Sequence, residues 1–243
     1  HLVLDPDNYQ SEPFYTQVAI KNEEKCNDSG LCLKHCRFGA IDEDYSIDPL
    51  ACEGCGVCAF VCPEDAIKME EEVSGHSYLS TTRYGPMAHA ELGPGGEASG
   101  QLVTRVKEDA RGLADKENKN LILVDGSPGI GCPVIASLSN ADLALIVTEP
   151  TLSGIHDLER IAGVADHFGV KSMVCINKSD LSEANSTEIE TFASRKGIEL
   201  VGRIPYDRQV VEAMINGKSI VEYSQGKTTR AIKEVWNNIK SKL

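Results

Sequence analysis

The sequence predicts an α/β fold: a mostly parallel, doubly wound sheet interrupted by a small cysteine-rich α+β insertion. Two observations predict it. Compact apolar segments alternate with helix-length stretches after residue 101, and seven of the nine cysteines crowd between Cys26 and Cys62. At 243 residues the chain is long enough for both units. The expected organisation is a remnant of the N-terminal part of the α/β unit over 1–15, a cysteine-rich module over 16–73, a connecting loop over 74–100, and the rest of the α/β unit over 101–243.

Each element follows from local pattern. Thr16 to Ile20, Ala40 to Ile41 and Ala66 to Met69 read as short strands, Val57 to Val61 as a short helix, and Leu33 to Cys36 as one helical turn at most. From Ser74 to Gly100, Gly, Ser, Thr and Pro accumulate, which predicts a long loop. Beyond it, Leu121 to Val124, Leu143 to Val147, Ser172 to Ile176 and Glu199 to Ile204 are expected strands. Gln101 to Lys116, Ile155 to Phe168, Thr187 to Lys196 and Thr228 to Lys242 are expected helices. The opening residues, His1 to Pro6, look like the end of a strand and a turn, so residues upstream are expected.

Composition excludes several classes. Twenty-four Lys and Arg against 37 Asp and Glu give a formal charge of −13, which opposes binding to nucleic acid or anionic membranes. No run of roughly eighteen apolar residues is present, so no membrane span is expected. Without a secretory leader pattern, nine cysteines argue for metal binding in a reducing, cytoplasmic setting.

The cysteine spacing names the metal chemistry. Cys52, Cys55, Cys58 and Cys62 followed by Pro63 form a complete C-x2-C-x2-C-x3-C-P run, in which three thiolates wrap one iron-sulfur cube and the fourth serves a second. The upstream copy, Cys26, Ser29, Cys32 and Cys36, keeps the spacing but has Ser29 at the second cysteine position and Arg37 at the proline position. By the crossed rule, Cys36, Cys52, Cys55 and Cys58 hold a [4Fe-4S] cluster. Cys26, Cys32 and Cys62 then offer three thiolates to a second centre, a [3Fe-4S] cluster or a [4Fe-4S] cube whose last iron is held by Ser29, by water or by nothing from the protein. The competing readings are a zinc site, which pairs thiolates at another spacing, and loose buried thiols. His35 reads as a surface residue.

Three strand ends direct polar loops toward one sheet edge, the place where open parallel sheets bind ligands. Asp125 follows Leu121 to Val124 in Asp125-Gly-Ser-Pro-Gly129, where a carboxylate can hold magnesium through water, although an ordinary Asp-Gly turn explains it equally. Asn177-Lys-Ser-Asp180 and Pro205-Tyr206-Asp207 end two further strands and can grip a base edge, or be plain solvated turns. No G-x-x-x-x-G-K-[ST] phosphate loop occurs in this sequence. Gly217-Lys218-Ser219 and Gly226-Lys227-Thr228 match only its tail, and Gly93 to Gly100 lacks the lysine, so all three are read as non-sites.

Together these motifs resemble the MinD-superfamily P-loop ATPases that contain an inserted ferredoxin domain. The resemblance rests on the doubled cysteine motif, on Gly93 to Gly100, Asp125 to Val134, Thr148 to Arg160, Asn177 to Asp180 and Ile204 to Asp207, and covers nearly the whole chain. It implies a P-loop NTPase-like sheet, with the magnesium and switch role at Asp125 and a cofactor-binding role at Gly129. It further implies adenine contacts at Asn177 and Asp180, and Pro205, Tyr206 and Asp207 lining the base. The family's P-loop comes before the second strand, so ATP and Mg2+ binding, and ATPase activity, are expected of the full-length protein. The implied function couples ATP binding and hydrolysis to electron transfer or iron-sulfur cluster handling. The alternatives are a ferredoxin-type electron carrier without ATPase activity and a cluster assembly carrier. A redox or cluster-acceptor protein is the expected partner, and a homodimer or heterodimer the expected assembly. Cys132 resembles in position a cysteine that bridges a cluster between subunits in the nitrogenase iron protein, but it and Cys175 are read as packed core thiols.

Overall fold

The computed structural model describes residues 3–93 and 99–243. Strand β1 (Asp7–Lys21) runs into the cysteine-rich module, where helices α1 (Leu31–His35) and α2 (Val57–Val61) lie. Strand β2 (Ile67–Thr82) returns antiparallel to β1, with Lys21 opposite Ile67 and Asp7 opposite Thr81, and β3 (Gly85–Leu92) pairs back on β2. The module is thus an insertion at the end of a long β-ribbon.

This corrects the expected loop over 74–100, because β2 continues to Thr82 and β3 occupies Gly85 to Leu92. Two of the serines that suggested a loop face inward here: Ser77 and Ser80 are buried, and the Ser80 hydroxyl lies 2.6 Å from Asn8 Oδ1 and 2.9 Å from His89 Nε2. A satisfied hydroxyl is cheap to bury, so the ladder absorbs residues that local propensity assigns to turns. The remainder of that expectation, 94–98, lies outside the described residues, as do His1 and Leu2. Thr16 to Ile20 falls within the longer β1, Ala66 to Met69 lies in the longer β2 except for Ala66, which precedes it, and Ala40 to Ile41 is reduced to one bridge from Ile41 to Ile47.

In the second half, α3 (Gly100–Lys116) starts on Ser99, whose hydroxyl accepts the Leu102 amide, and α4 (Cys132–Leu138) packs beside it. The Lys107 ammonium donates to the carbonyls of Ala136, Ser137 and Ser139, satisfying the end of α4, where carbonyls lack helical partners. Then come β4 (Leu143–Thr148), α5 (Leu152–His167), β5 (Lys171–Asn177), α6 (Glu183–Lys196) and β6 (Glu199–Ile204). Helices α7 (Gln209–Ile215), α8 (Ile220–Tyr223) and α9 (Lys227–Lys240) close the described chain.

The three strands are parallel in the order β4-β5-β6. One face packs Ile146, Val174 and Ile176 against Ile155 and Leu158 of α5 and Ile189 and Phe192 of α6, while the other packs Met173, Cys175 and Val201 against Val235 and Ile239 of α9. Helices on both faces of a parallel sheet are the doubly wound arrangement the alternation predicted. The local chemistry agrees: Thr151 and Ser182 cap α5 and α6, and Gly197, in the left-handed region at φ 69°, ends α6.

Leu121 to Val124 departs from expectation. It forms no strand, and all four residues are exposed, Leu123 at 77%. An apolar run becomes a strand only when a neighbour accepts its hydrogen bonds, and among the described residues none does.

Candidate functional site

The cysteine-rich module is two copies of one local design. Gly30 and Gly56, at φ 69° and 73°, turn the chain into α1 and α2, and Cys36 and Cys62 end those helices with nearly the same backbone, φ/ψ −71°/114° and −74°/117°. Glycine enters the left-handed region without a Cβ penalty, so each tight turn can present its thiols. At Gly54, φ 64°, a Cβ would come within 2.1 Å of the Gln17 carbonyl, so the loop that carries Cys52 and Cys55 lies directly on β1.

The thiols surround two cavities. Cys36, Cys52, Cys55 and Cys58, with Phe38, Ile41, Glu53 and Val57 around them, line one. Cys26, Cys32 and Cys62, with Lys21, Asp28 and Ser29, line the other. Cys36 thus lies with the downstream thiols and Cys62 with the upstream ones. All nine cysteines are free thiols. Burial pushes the Cys58 thiol above its ordinary value, so a thiolate there needs compensating positive charge. Among the described residues no three His, Cys, Asp or Glu converge on a point that would suit a single ion. Thiols ringing a volume suit an inorganic iron-sulfur cage better than one zinc.

Sequence reasoning missed Lys21. Its side chain is largely buried, paired at 2.9 Å with Glu23, and it lines the three-thiol cavity. That position depends on β1–β2 pairing, which no local motif encodes.

At the carboxyl edge of the parallel sheet the structure brings several candidates together. Asn177 ends β5, the buried Ser179 donates its amide to the Ile204 carbonyl, and Asp180 Oδ1 accepts the Tyr206 amide at 2.7 Å. That amide, with Lys227 adding to it, holds the Asp180 carboxyl below its ordinary range. Pro205 and Tyr206 follow β6, and Asp207 accepts from the Thr228 hydroxyl at 3.0 Å and from the Gln209 amide. Lys227 and Thr228, set aside as part of a decoy motif, thus brace Asp180 and Asp207 at the start of α9.

Asp125 and Gly129 stand outside this network. Asp125 is exposed in the unpaired segment after Leu121 to Val124, and Gly129, φ 88°, turns the chain toward α4. Among the described residues, none of the hydrogen bonds or ion pairs that build the edge involves them. Cys132, expected to be packed, is exposed at the first turn of α4, whereas Cys175 is buried and its thiol is pushed up to about 11 by desolvation. His35 is exposed, as expected.

The ribbon joins the two regions. At the β2–β3 turn, Arg83 donates to the Gly217 carbonyl at 2.8 Å and to Glu222 at 3.2 Å, and its guanidinium lies over the Tyr84 ring. Glu222 also accepts the Ser219 amide and hydroxyl, and Tyr84, Ser219 and Arg83 together hold its carboxyl down at about 2.

Comparison with known proteins agrees with both halves. A family model described as a 4Fe-4S binding domain matches residues 45–68. The D subunit of pyruvate synthase from Methanothermobacter marburgensis is 47% identical over 51 residues, 21% of this chain and 63% of that protein. A MinD cell division protein from Aquifex aeolicus superimposes with a TM-score of 0.52 over 68% of this chain and 69% of that one, at 21% identity, a likeness of fold. The uncharacterized protein MJ0578 of Methanocaldococcus jannaschii is 31% identical over 229 residues, 94% of this chain and 76% of that protein. The chain belongs to the MinD superfamily of P-loop ATPases and carries a ferredoxin domain. In this MinD-like protein the ferredoxin domain is the part with 4Fe-4S chemistry. Among the described residues, no helix is long and apolar enough to cross a membrane.

Proposed function

We propose that this protein couples ATP binding and hydrolysis, in its full-length form, to electron transfer or iron-sulfur cluster handling by the ferredoxin domain. The observation that carries the reading is the crossed arrangement of seven thiols around two cavities, built on a β-ribbon whose far turn is bonded to the MinD-like half. Cys36, Cys52, Cys55 and Cys58 would hold a [4Fe-4S] cluster that supplies one-electron chemistry. Cys26, Cys32 and Cys62 would hold the second centre, with Ser29 or solvent at its remaining corner. In the MinD-like half, Asp125 would serve magnesium and the switch, with Gly129 giving that turn its freedom. Asn177, Asp180, Pro205, Tyr206 and Asp207 would receive the base. The partner is a redox or cluster-acceptor protein, and the assembly a homodimer or heterodimer in the cytoplasm.

A second reading, an assembly carrier that releases its cluster, is favoured by the three-thiol site, since a cage held by fewer thiolates is easier to remove. The test is anaerobic preparation of the full-length protein, with iron and sulfide analysis and paramagnetic resonance with and without ATP. The coupling reading expects ATP to change cluster potential or partner binding, and Asp125→Ala to abolish that change. Colourless, iron-free protein sinks both readings. Full loading with indifference to ATP sinks the coupling, and transfer of the cluster to an apo-acceptor selects the carrier.

A further inference from the structure

The ferredoxin domain carries an apolar surface that its own core does not use. Phe60 is 90% exposed on α2, between Cys58 and Cys62, and Val57, one turn earlier on the same helix face, is 40% exposed. Phe38, 51% exposed, joins Val57 in lining the cavity of Cys36, Cys52, Cys55 and Cys58. A single exposed apolar side chain is ordinary, but Phe38 and Val57 at the mouth of one thiol-lined cavity, with Phe60 a turn beyond, mark a contact surface. The surrounding charge is strongly net negative. Between residues 22 and 72 thirteen Asp and Glu stand against four Lys and Arg, two of which, Lys34 and Arg37, lie at α1, and Glu53 lines the cavity itself.

We infer that Phe38, Val57 and Phe60 form the docking site for a redox protein whose apolar patch is encircled by Lys and Arg, with Phe60 as the anchor. This rests on the iron-sulfur reading above and names the partner of that site. The negative field steers a basic partner to the module, and the aromatic contact, drained of water, holds it there. The step served is the transfer of one electron from the reduced cluster to a one-electron acceptor in the partner. The cluster is oxidised by one unit, the acceptor is reduced by one, and no bond or proton moves.

The test uses the iron-loaded protein, reduced with dithionite, freed of excess reductant and mixed anaerobically with two acceptors. One is cytochrome c, a basic haem protein in which ferric haem becomes ferrous, and the other is ferricyanide, a small trianion that needs no protein surface. Raising salt from about 0.05 M to about 0.3 M should slow cytochrome c reduction and speed ferricyanide reduction, because screening removes attraction in one case and repulsion in the other. Phe60→Ser should lower the cytochrome c rate about tenfold, leave iron content and the ferricyanide rate at wild-type values, and be largely rescued by Phe60→Leu. The proposal is overturned if Phe60→Ser reduces cytochrome c at the wild-type rate, or if that rate rises with salt. Failure to reduce either acceptor instead removes the iron-sulfur reading beneath it.

Discussion

Replacing Gly54 by alanine tests whether the cysteine loop is held by contact with β1 or merely by its own turn. Gly54 and Gly39 share the left-handed region, at φ 64° and 67°, so either alanine costs about 1–2 kcal/mol of backbone strain. They differ in space. A Cβ on Gly39 meets nothing within 4 Å, whereas one on Gly54 would lie 2.1 Å from the Gln17 carbonyl oxygen. Ordinary contact begins near 3.4 Å, so the loop bearing Cys52 and Cys55 must retreat from β1 by more than an ångström. Overpacking of that kind adds about 1–3 kcal/mol, making Gly54→Ala the costlier by that margin. The retreat also moves two thiols of one cavity and none of the other. Anaerobic iron analysis with urea unfolding should show Gly54→Ala losing iron from the four-thiol site and unfolding at lower urea, with Gly39→Ala fully loaded. Equal iron and equal midpoints in the two variants would refute the argument.

Three further outcomes follow from the geometry. Ser29→Cys completes four thiolates around the second cavity, so any three-iron resonance on oxidation should vanish and the second centre should resist loss of iron to a chelator; an oxidised spectrum and chelator sensitivity identical to the wild type contradict the three-thiolate assignment. Glu222, depressed from 4.5 to about 2, contributes stability that is complete above about pH 4.5 and is lost as pH falls toward 2. A carboxyl titration by nuclear magnetic resonance should find it there, with Arg83→Ala and Tyr84→Phe each moving it upward; an ordinary value in the wild type rules out the clamp. Ile189→Ala, at a fully buried position between α6 and the sheet, should cost about 2–5 kcal/mol by urea unfolding, and a loss under 1 kcal/mol would mean that this core closes over the cavity.

How far the sequence can be read depends on whether a feature is local. The thiol sets were legible because ligand spacing within a tight loop is local chemistry, and Cys36 and Cys62 exchange places around the two cavities as spacing requires. Strand β6 falls on the expected 199–204, since an apolar run between polar turns is also local. The β2–β3 hairpin escaped because Gly85-Pro86 and its serines read as loop until Asn8 and His89 supply partners. Leu121 to Val124 escaped in the opposite sense: its residues favour a strand, but pairing belongs to a neighbour. Cys132 and Cys175 look alike in sequence, yet one opens a helix at the surface and the other sits at the centre of a sheet.

Past β3, β1 and β2 run on together into the cysteine domain, where Ala19 and Ile67 share a core with Cys32 and Ile41 and the Gly54 loop lies on Gln17. Their register slips between Phe14 and Tyr15, and β3 begins its pairing only at Gly75, so the slip falls where the third strand ends and the domain begins. A bulge is where such a ribbon bends most easily. Tilting the domain there by about 10° would carry a point seven residues further along the strands, about 23 Å away, through about 4 Å, so a modest twist at the root is converted to a displacement as wide as a side-chain contact. The domain is mounted like the arm of a balance, with Arg83 fastened at the opposite end.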